Sequence, residues 1–510
     1  MIFFRLAVIL ITALFAATAC SPSPATSNKL VIGIGSTLNL GNNNPVFIQR
    51  NANVWETLTE LDDTLTPRPG LAQSWEVSSD GRQWTFHLKR GVTFHNGDRL
   101  NSRLVTANLL RMKNHPELDY YSTFSSLVSA VPKDEWTIHL EFSSPVVDLP
   151  NRLGHYFAGV FSPRAFGPDG KLDRPIGSGP YIYSQSRIGQ YDRVTAFAQY
   201  HGVKPHFGEI EFKIIGDPAV RIMSLLRGDI DMIAHHGGVP PSYLDMLKDR
   251  RDIVVAAQDV AITHYLLFNC ARHPFSDPAS RDAFSRALDR HELARLILHG
   301  SGIAARDFLV ETAVRWNRNR FSLLPETDEP VKRQLAALGK GNALTLLLSQ
   351  GDASSWSYRH TADYLSDYFA KLGVSIRIEM LESGAWQKAT QAGDFDLTLY
   401  PLSLPTGIPD LLVRRLAYSK GMQVRSIGNT THYASAPLDA LFEKALNAPN
   451  VSAHDQAYHS LLDLLAEEKP FVPLYHERYY YAYRQGLTGI HIDPFLKMDL
   501  GAIRFAGERE

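Results

Sequence analysis

The chain has 510 residues, too many for a single hydrophobic core, so two to four domains are expected. Hydrophobic residues make up 44% and charged residues 21%, the balance of an ordinary water-exposed globular protein. Lys plus Arg (52) nearly equals Asp plus Glu (53), so no overall field recruits nucleic acid or an anionic membrane surface.

Met1 to Cys20 reads as a secretory signal: a positive charge at Arg5, an apolar run from Leu6 to Ala17, and the small residues Ala17-Thr18-Ala19 before Cys20. The run is too short for a membrane span. Export to the periplasm or cell surface follows from it. The proline- and serine-rich stretch 21–28 is expected to be a flexible tether. The only other cysteine, Cys270, lies in the apolar run Tyr265 to Phe268-Asn269-Cys270 and is expected to be a buried, inert thiol.

Lys29 to Gly35 reads as a short buried strand, and Asn53 to Glu60 as a helix leading into a strand. The most informative stretch runs from Leu71 to Gly97. Ser78-Ser79-Asp80-Gly81-Arg82 is a polar turn in which Asp-Gly favours the positive φ of a tight hairpin. Around it apolar and polar residues alternate, with Trp75 and Val77 before the turn and Trp84, Phe86 and Leu88 after it. That period of two marks a half-buried hairpin. Leu104 to Lys113 has helical spacing, and Trp136 to Phe142 alternates again.

A Gly-rich corner at Pro175 to Tyr181 lacks the spacing and the lysine of a phosphate-binding loop. Beyond it, Glu209–Ile215, Ala219–Arg227 and Asp229–Ile233 read as strand, helix and strand, the rhythm of a doubly wound lobe. A strand is expected at 264–270 and one amphipathic helix from Asp282 to His299. That helix holds His291-Glu292-Leu293-Ala294-Arg295, which fails as a zinc-protease motif because Arg295 stands where the second imidazole must be. A helix at 356–372, strands at 374–380 and 395–400, a helix at 452–468 and a strand at 471–475 complete the pattern. The triad Tyr479-Tyr480-Tyr481, with Tyr483, reads as structural. No recognisable nucleophile and base arrangement appears, so an enzyme, whether a hydrolase or a metalloenzyme, is the distant alternative.

The string Leu71–Gly97 resembles, nearly position for position, the signature LAxSWxxSxDGxxWTFxLRxGVxFHxG of the family 5 bacterial solute-binding proteins, the peptide and nickel receptors of ABC importers. Pro175 to Tyr181 is similar to that family's PxGTGPY turn, Arg227 to Asp231 to its G-D-I-D turn, and Leu288-Asp289-Arg290 to its AxDR helix. Trp55-Glu56-Thr57-Leu58 resembles its YExL segment. The resemblance spans about 30 to 495. It implies an α/β, two-lobed periplasmic-binding-protein fold (type II, cluster C-like), with an extra α/β domain inserted in the first lobe.

On this reading residues 1–19 are the signal peptide and 20–28 a lipidated Cys20 and tether. Lobe I is built from 29–59, 169–265 and 476–510, the extra domain from 60–168, and lobe II from 266–475. Ala17 to Cys20 resembles a lipobox, with Ala17 where Leu is usual; Ala-x-Ala also fits ordinary signal peptidase cleavage. Acylation at Cys20 would anchor the protein, each buried CH₂ contributing about 0.8 kcal/mol. The implied partners are an ABC permease and ATPase and the membrane reached through the anchor, with no nucleic acid and a monomeric receptor.

The ligand is expected to be a small peptide-like solute or a metal chelate, with no resident cofactor; an oligopeptide or dipeptide receptor proper is the alternative. In the peptide branch an Asp following the 395–400 strand pairs with the peptide ammonium. Here Ile408 stands at that place, with Asp410 as the nearby substitute. The wording is closest to the nickel branch, whose pocket aligns with Tyr121 for an aromatic, Tyr156 for an Arg, Ser403 for a Trp, Gly407 for a Tyr and Gly421 for a His. Only Tyr121 keeps its chemical type. His155, His235 and His236 are the imidazoles available to complete the coordination of a chelated nickel ion.

Overall fold

The computed structural model describes residues 28–38, 52–115, 119, 123–155, 158–168, 170–234, 238–298, 302–420 and 428–506. Cys20 and the signal segment lie outside them, as do Tyr121, Tyr156, His235, His236 and Gly421. Among the described residues no helix is long and apolar enough to cross a membrane.

The Asp80-Gly81 turn forms as expected, with Gly81 at φ +70°. Strands Ala72–Val77 and Gln83–Leu88 flank it, Trp75 opposite Phe86 and Val77 opposite Trp84. Thr137–Phe142 and Leu127–Pro132 extend the sheet to four strands. Helix Ser102–Asn114, capped by the Asn101 side chain on the Leu104 N–H, covers one face. Trp84, Phe86, Leu88, Leu104, Val105 and Leu109 belong to its core, while Val77, on the edge strand, is 48% exposed.

Among the described residues a second sheet, of eleven strands, runs through the rest of the fold. At one end Lys29–Ile34 pairs in parallel with Glu209–Ile214 and Met232–Ile233. At the other end Leu344–Ser349 lies between Ile376–Leu381 and Leu397–Ser403. Between the ends stand two long antiparallel neighbours, Ile253–Phe268 and Phe471–Arg484, which carry the chain from one body to the other and back. Their apolar runs alone predict short strands at 264–270 and 471–475; the polar halves continue the ladder over Ile253–Phe268 and Phe471–Arg484. The register shifts between Asp259 and Thr263 and again between His264 and Tyr265, the irregularities at which a strand bends and twists.

Separate cores accompany this division. One gathers residues between Leu30 and Ile503 around the first end of the sheet, another lies between Leu58 and Val160 around the inserted sheet, and a third, the largest, spans Ala261 to Tyr475. Leu65 is the exception: it leaves the inserted body and joins the third core.

Two expectations are corrected. Residues 53–55 are irregular and are followed by the short strands Glu56–Thr57 and Thr59–Leu61, not a helix. The single helix expected at 282–299 is two helices, Pro278–Ala287 and Arg290–Ile297. Asp289 breaks it by capping the Glu292 N–H at 2.7 Å. The break turns Arg290 inward, where its guanidinium donates to the carbonyls of Pro473, Ser285 and Ser322.

Candidate functional site

A cavity of about 230 Å³ opens where the three bodies meet. The segment after the first strand supplies Asn53, Trp55, Glu56 and Glu60; the inserted body supplies Gly154 and His155; the second lobe supplies Pro405. Pro180, Tyr200 and the C-terminal return, His491 to Asp499, complete the wall.

Short-range hydrogen bonds shape that return. The Asp493 carboxylate accepts from the N–H groups of Phe495 and Lys497, each at 2.8 Å, closing a turn in which Leu496 takes φ +65°. The Pro494 carbonyl accepts from Ala261 N–H on the crossing strand at 2.7 Å. Asn53 Oδ1 accepts from the Leu500 N–H at 3.0 Å. Its Nδ2, buried on the cavity wall, has no hydrogen-bond partner among the described residues.

Four carboxylates, Glu56, Glu60, Asp493 and Asp499, face two permanent cations, Arg68 and Lys497. Lys497 Nζ lies 3.2 Å from Glu60, and its charge holds the Glu60 carboxyl below the usual range. Burial disfavours the Lys497 ammonium, but Glu60 and Asp493 outweigh it and raise its pKa. Glu56 accepts from Ser178 Oγ at 2.8 Å and lies 2.9 Å from His201 Nε2. Burial, then Glu56 and Glu60, push the Tyr200 phenol well above its ordinary pKa. The site is a partly solvated recess with aromatic side chains and surplus negative charge in its wall, suited to a solute bearing a cationic group.

The residues singled out from sequence do not all converge here. His155 does: it is buried and lines the cavity. Ser403 is half-buried at the end of its strand, opposite Ile262. Ile408 is fully buried in the core of the second lobe. Asp410 is not an open counter-charge for an ammonium group. It is 2% exposed, one carboxylate oxygen accepts from Arg152 at 2.7 Å, and the other is held by Arg414. Of the 403–410 segment it is Pro405 that reaches the cavity wall. Cys270 is half-buried, and burial raises its thiol pKa to about 12.

Glu56, Glu60, Tyr200, Lys497 and Asp499 escaped the sequence reading. A carboxylate inside Trp55-Glu56-Thr57-Leu58 was the one available signal for Glu56. Nothing local marks Glu60 and Lys497 as partners 437 positions apart.

Known proteins are similar to this chain in sequence and in fold. The peptide transport periplasmic protein SapA of Salmonella typhimurium is 25% identical over 484 residues, covering 89% of this chain and 86% of its own. The dipeptide-binding protein of Escherichia coli is 24% identical over 457 residues, covering 84% of each. Among solved structures, NikA from Brucella suis in complex with Fe(III)-EDTA superposes with a TM-score of 0.82 at 22% identity, over 94% of this chain and 99% of the other. The family profile described as bacterial extracellular solute-binding proteins, family 5 Middle, matches residues 66–423. With that match over most of its length, and with two lobes and an inserted α/β domain around a cleft, the chain belongs to the family 5 bacterial extracellular solute-binding proteins.

Proposed function

We propose that the protein is an exported receptor, anchored through acylated Cys20, that captures a small peptide-like solute with a cationic group between its two lobes. It delivers that solute to the permease and ATPase of an ABC importer. On this proposal the body built around 58–160 is the extra domain, and the two ends of the long sheet are the lobes. The carrying observation is the excess of carboxylates over permanent cations on the cavity wall. Asp410, the counter-charge nearest the family's peptide-binding position, is occupied by Arg152 and Arg414. An ammonium group would then be received at the Glu56, Glu60 and Asp499 side, where Asp499 is exposed and makes the least costly change.

Calorimetry with free and N-acetylated forms of the same di- and tripeptides tests this. The free amine is expected to bind at least about tenfold more tightly, and Asp499→Asn to remove most of that preference. Equal affinities for the two forms would sink the peptide reading. The second reading, a chelated metal as cargo, is supported by the likeness to the Fe(III)-EDTA complex and by His155 in the cavity wall. It requires metal-dependent binding that weakens in at least one of His155→Ala, His235→Ala and His236→Ala.

A further inference from the structure

At the seam between the inserted body and the second lobe, two short helices face each other. Leu149–Leu153 is anchored by Leu149 and Leu153 in the inserted core, and Asp410–Leu416 by Leu411, Leu412, Val413 and Leu416 in the core of the second lobe. Each helix carries an internal ion pair at i, i+4. Arg152 bonds Asp148 at 2.8 Å in the first, and Arg414 bonds Asp410 in the second. A charged link crosses between them, Arg152 to Asp410 at 2.7 Å.

We propose that this contact is a reversible latch, in which Arg152 and Asp410 join the inserted body to the second lobe when the cleft is closed and part when it opens.

The argument is one of charge compensation. A buried ion pair split into lone charges is strongly disfavoured, because each partner is left without a counter-charge. Here parting leaves no lone charge: Arg152 keeps Asp148, and Asp410 keeps Arg414. His454, 3.9 Å from Asp148, and the ring of Tyr458 border the same group. A crevice of about 210 Å³, lined by Asp148, Arg152, Arg414 and His454, gives water a route to the charges as they separate.

The neighbouring contacts have the same character. Asn151 Nδ2 donates across the seam to the Thr406 carbonyl at 3.0 Å and within its own body to Leu65 O at 3.3 Å. Leu65 projects from a turn closed by Asp62, whose carboxylate accepts from the Thr64 and Thr66 N–H groups. Leu65 is thus a preformed knob, and the 404–408 loop beside the cavity is its socket. The latch holds the loop that carries Pro405, so closure of the seam and the shape of the cleft are set together.

This inference rests on the two lobes moving relative to one another. The test uses purified protein freed of retained solute by dialysis through urea, and compares wild type, Arg152→Gln and Leu65→Ala. Leu65→Ala leaves every charge in place and decides the matter if Arg152→Gln does not fold. Small-angle scattering is expected to show a larger radius of gyration in the variants. Hydrogen exchange is expected to quicken roughly tenfold at 149–154 and 404–416 alone, whatever the fall in overall stability that the truncations themselves bring. Exchange quickening throughout 261–475, to the same degree as at the seam, would mean a permanent structural joint and overturn the latch. Unchanged scattering and exchange in both variants would overturn it as well. A wild-type radius that stays fixed while saturating peptide binds would remove the lobe movement itself.

Discussion

Leu65 leaves no room for a side chain at Gly407. A Cβ placed there would lie 2.8 Å from Leu65 Cβ and 2.9 Å from its carbonyl oxygen, and the glycine itself sits at φ +68°. Gly407→Ala combines a left-handed backbone with a contact that backbone atoms cannot relieve. It is expected to cost about 2–4 kcal/mol, measured by urea unfolding. A loss below about half a kcal/mol would show that the two bodies do not meet as closely as described.

The Glu60–Lys497 pair faces the cavity and keeps partial contact with solvent, so its worth is modest. Lys497→Met is expected to lower stability by roughly 1 kcal/mol. Glu60→Gln together with Lys497→Met should recover part of that loss, because the unpaired carboxylate is then gone. Strictly additive losses in the double-mutant cycle would mean the two groups do not interact.

His476 is buried on the crossing strand, 2.9 Å from Thr263 Oγ1, and burial, reinforced by His264, depresses its pKa to about 3. The unfolded chain takes up this proton near pH 6.5; the folded chain does so only near pH 3. Between those values the unfolded state binds more protons, so stability falls as pH falls. The slope contributed by this group approaches about 1.4 kcal/mol per pH unit. His476→Gln should flatten the decline in unfolding free energy between pH 6 and pH 4.5. An identical slope in the variant would place the titrating group elsewhere.

Cys270 combines a thiol pKa raised to about 12 with weak contacts to the carbonyls of Phe268 and Pro470. The thiolate is therefore scarce at pH 8. A disulfide reagent such as dithionitrobenzoate should react with the folded protein at least about a hundredfold more slowly than in denaturant. Comparable rates in the two conditions would contradict the burial.

The readability of the fold followed the range of the interactions involved. The 72–88 hairpin was legible because its signal is local: alternation on both sides of Asp80-Gly81. The same alternation misjudged Val77, which stands on the edge strand of the sheet and is exposed. The helix expected at 282–299 failed at Asp289, where a side-chain cap overrode an apolar spacing that continued beyond it. Of the cleft, His155 was found because it stands in a segment aligned with a binding region. Asp410 was offered as a ligand group because its sequence neighbours do not reveal Arg152, 258 positions away. Glu60 and Lys497 illustrate the limit: neither is unusual where it stands, and their meeting exists only in the folded chain.

The two crossing strands have a consequence for how the molecule withstands damage. The chain enters the second lobe along Ile253–Phe268 and returns from it along Phe471–Arg484, and these ends lie on bonded neighbours, with Leu267 opposite Phe471. A protease that nicks the second lobe once therefore frees nothing, since both fragments remain stitched into the same ladder. To detach this half, both stitches must be cut, and the hydrogen-bonded centre of a sheet is where a protease has the least purchase.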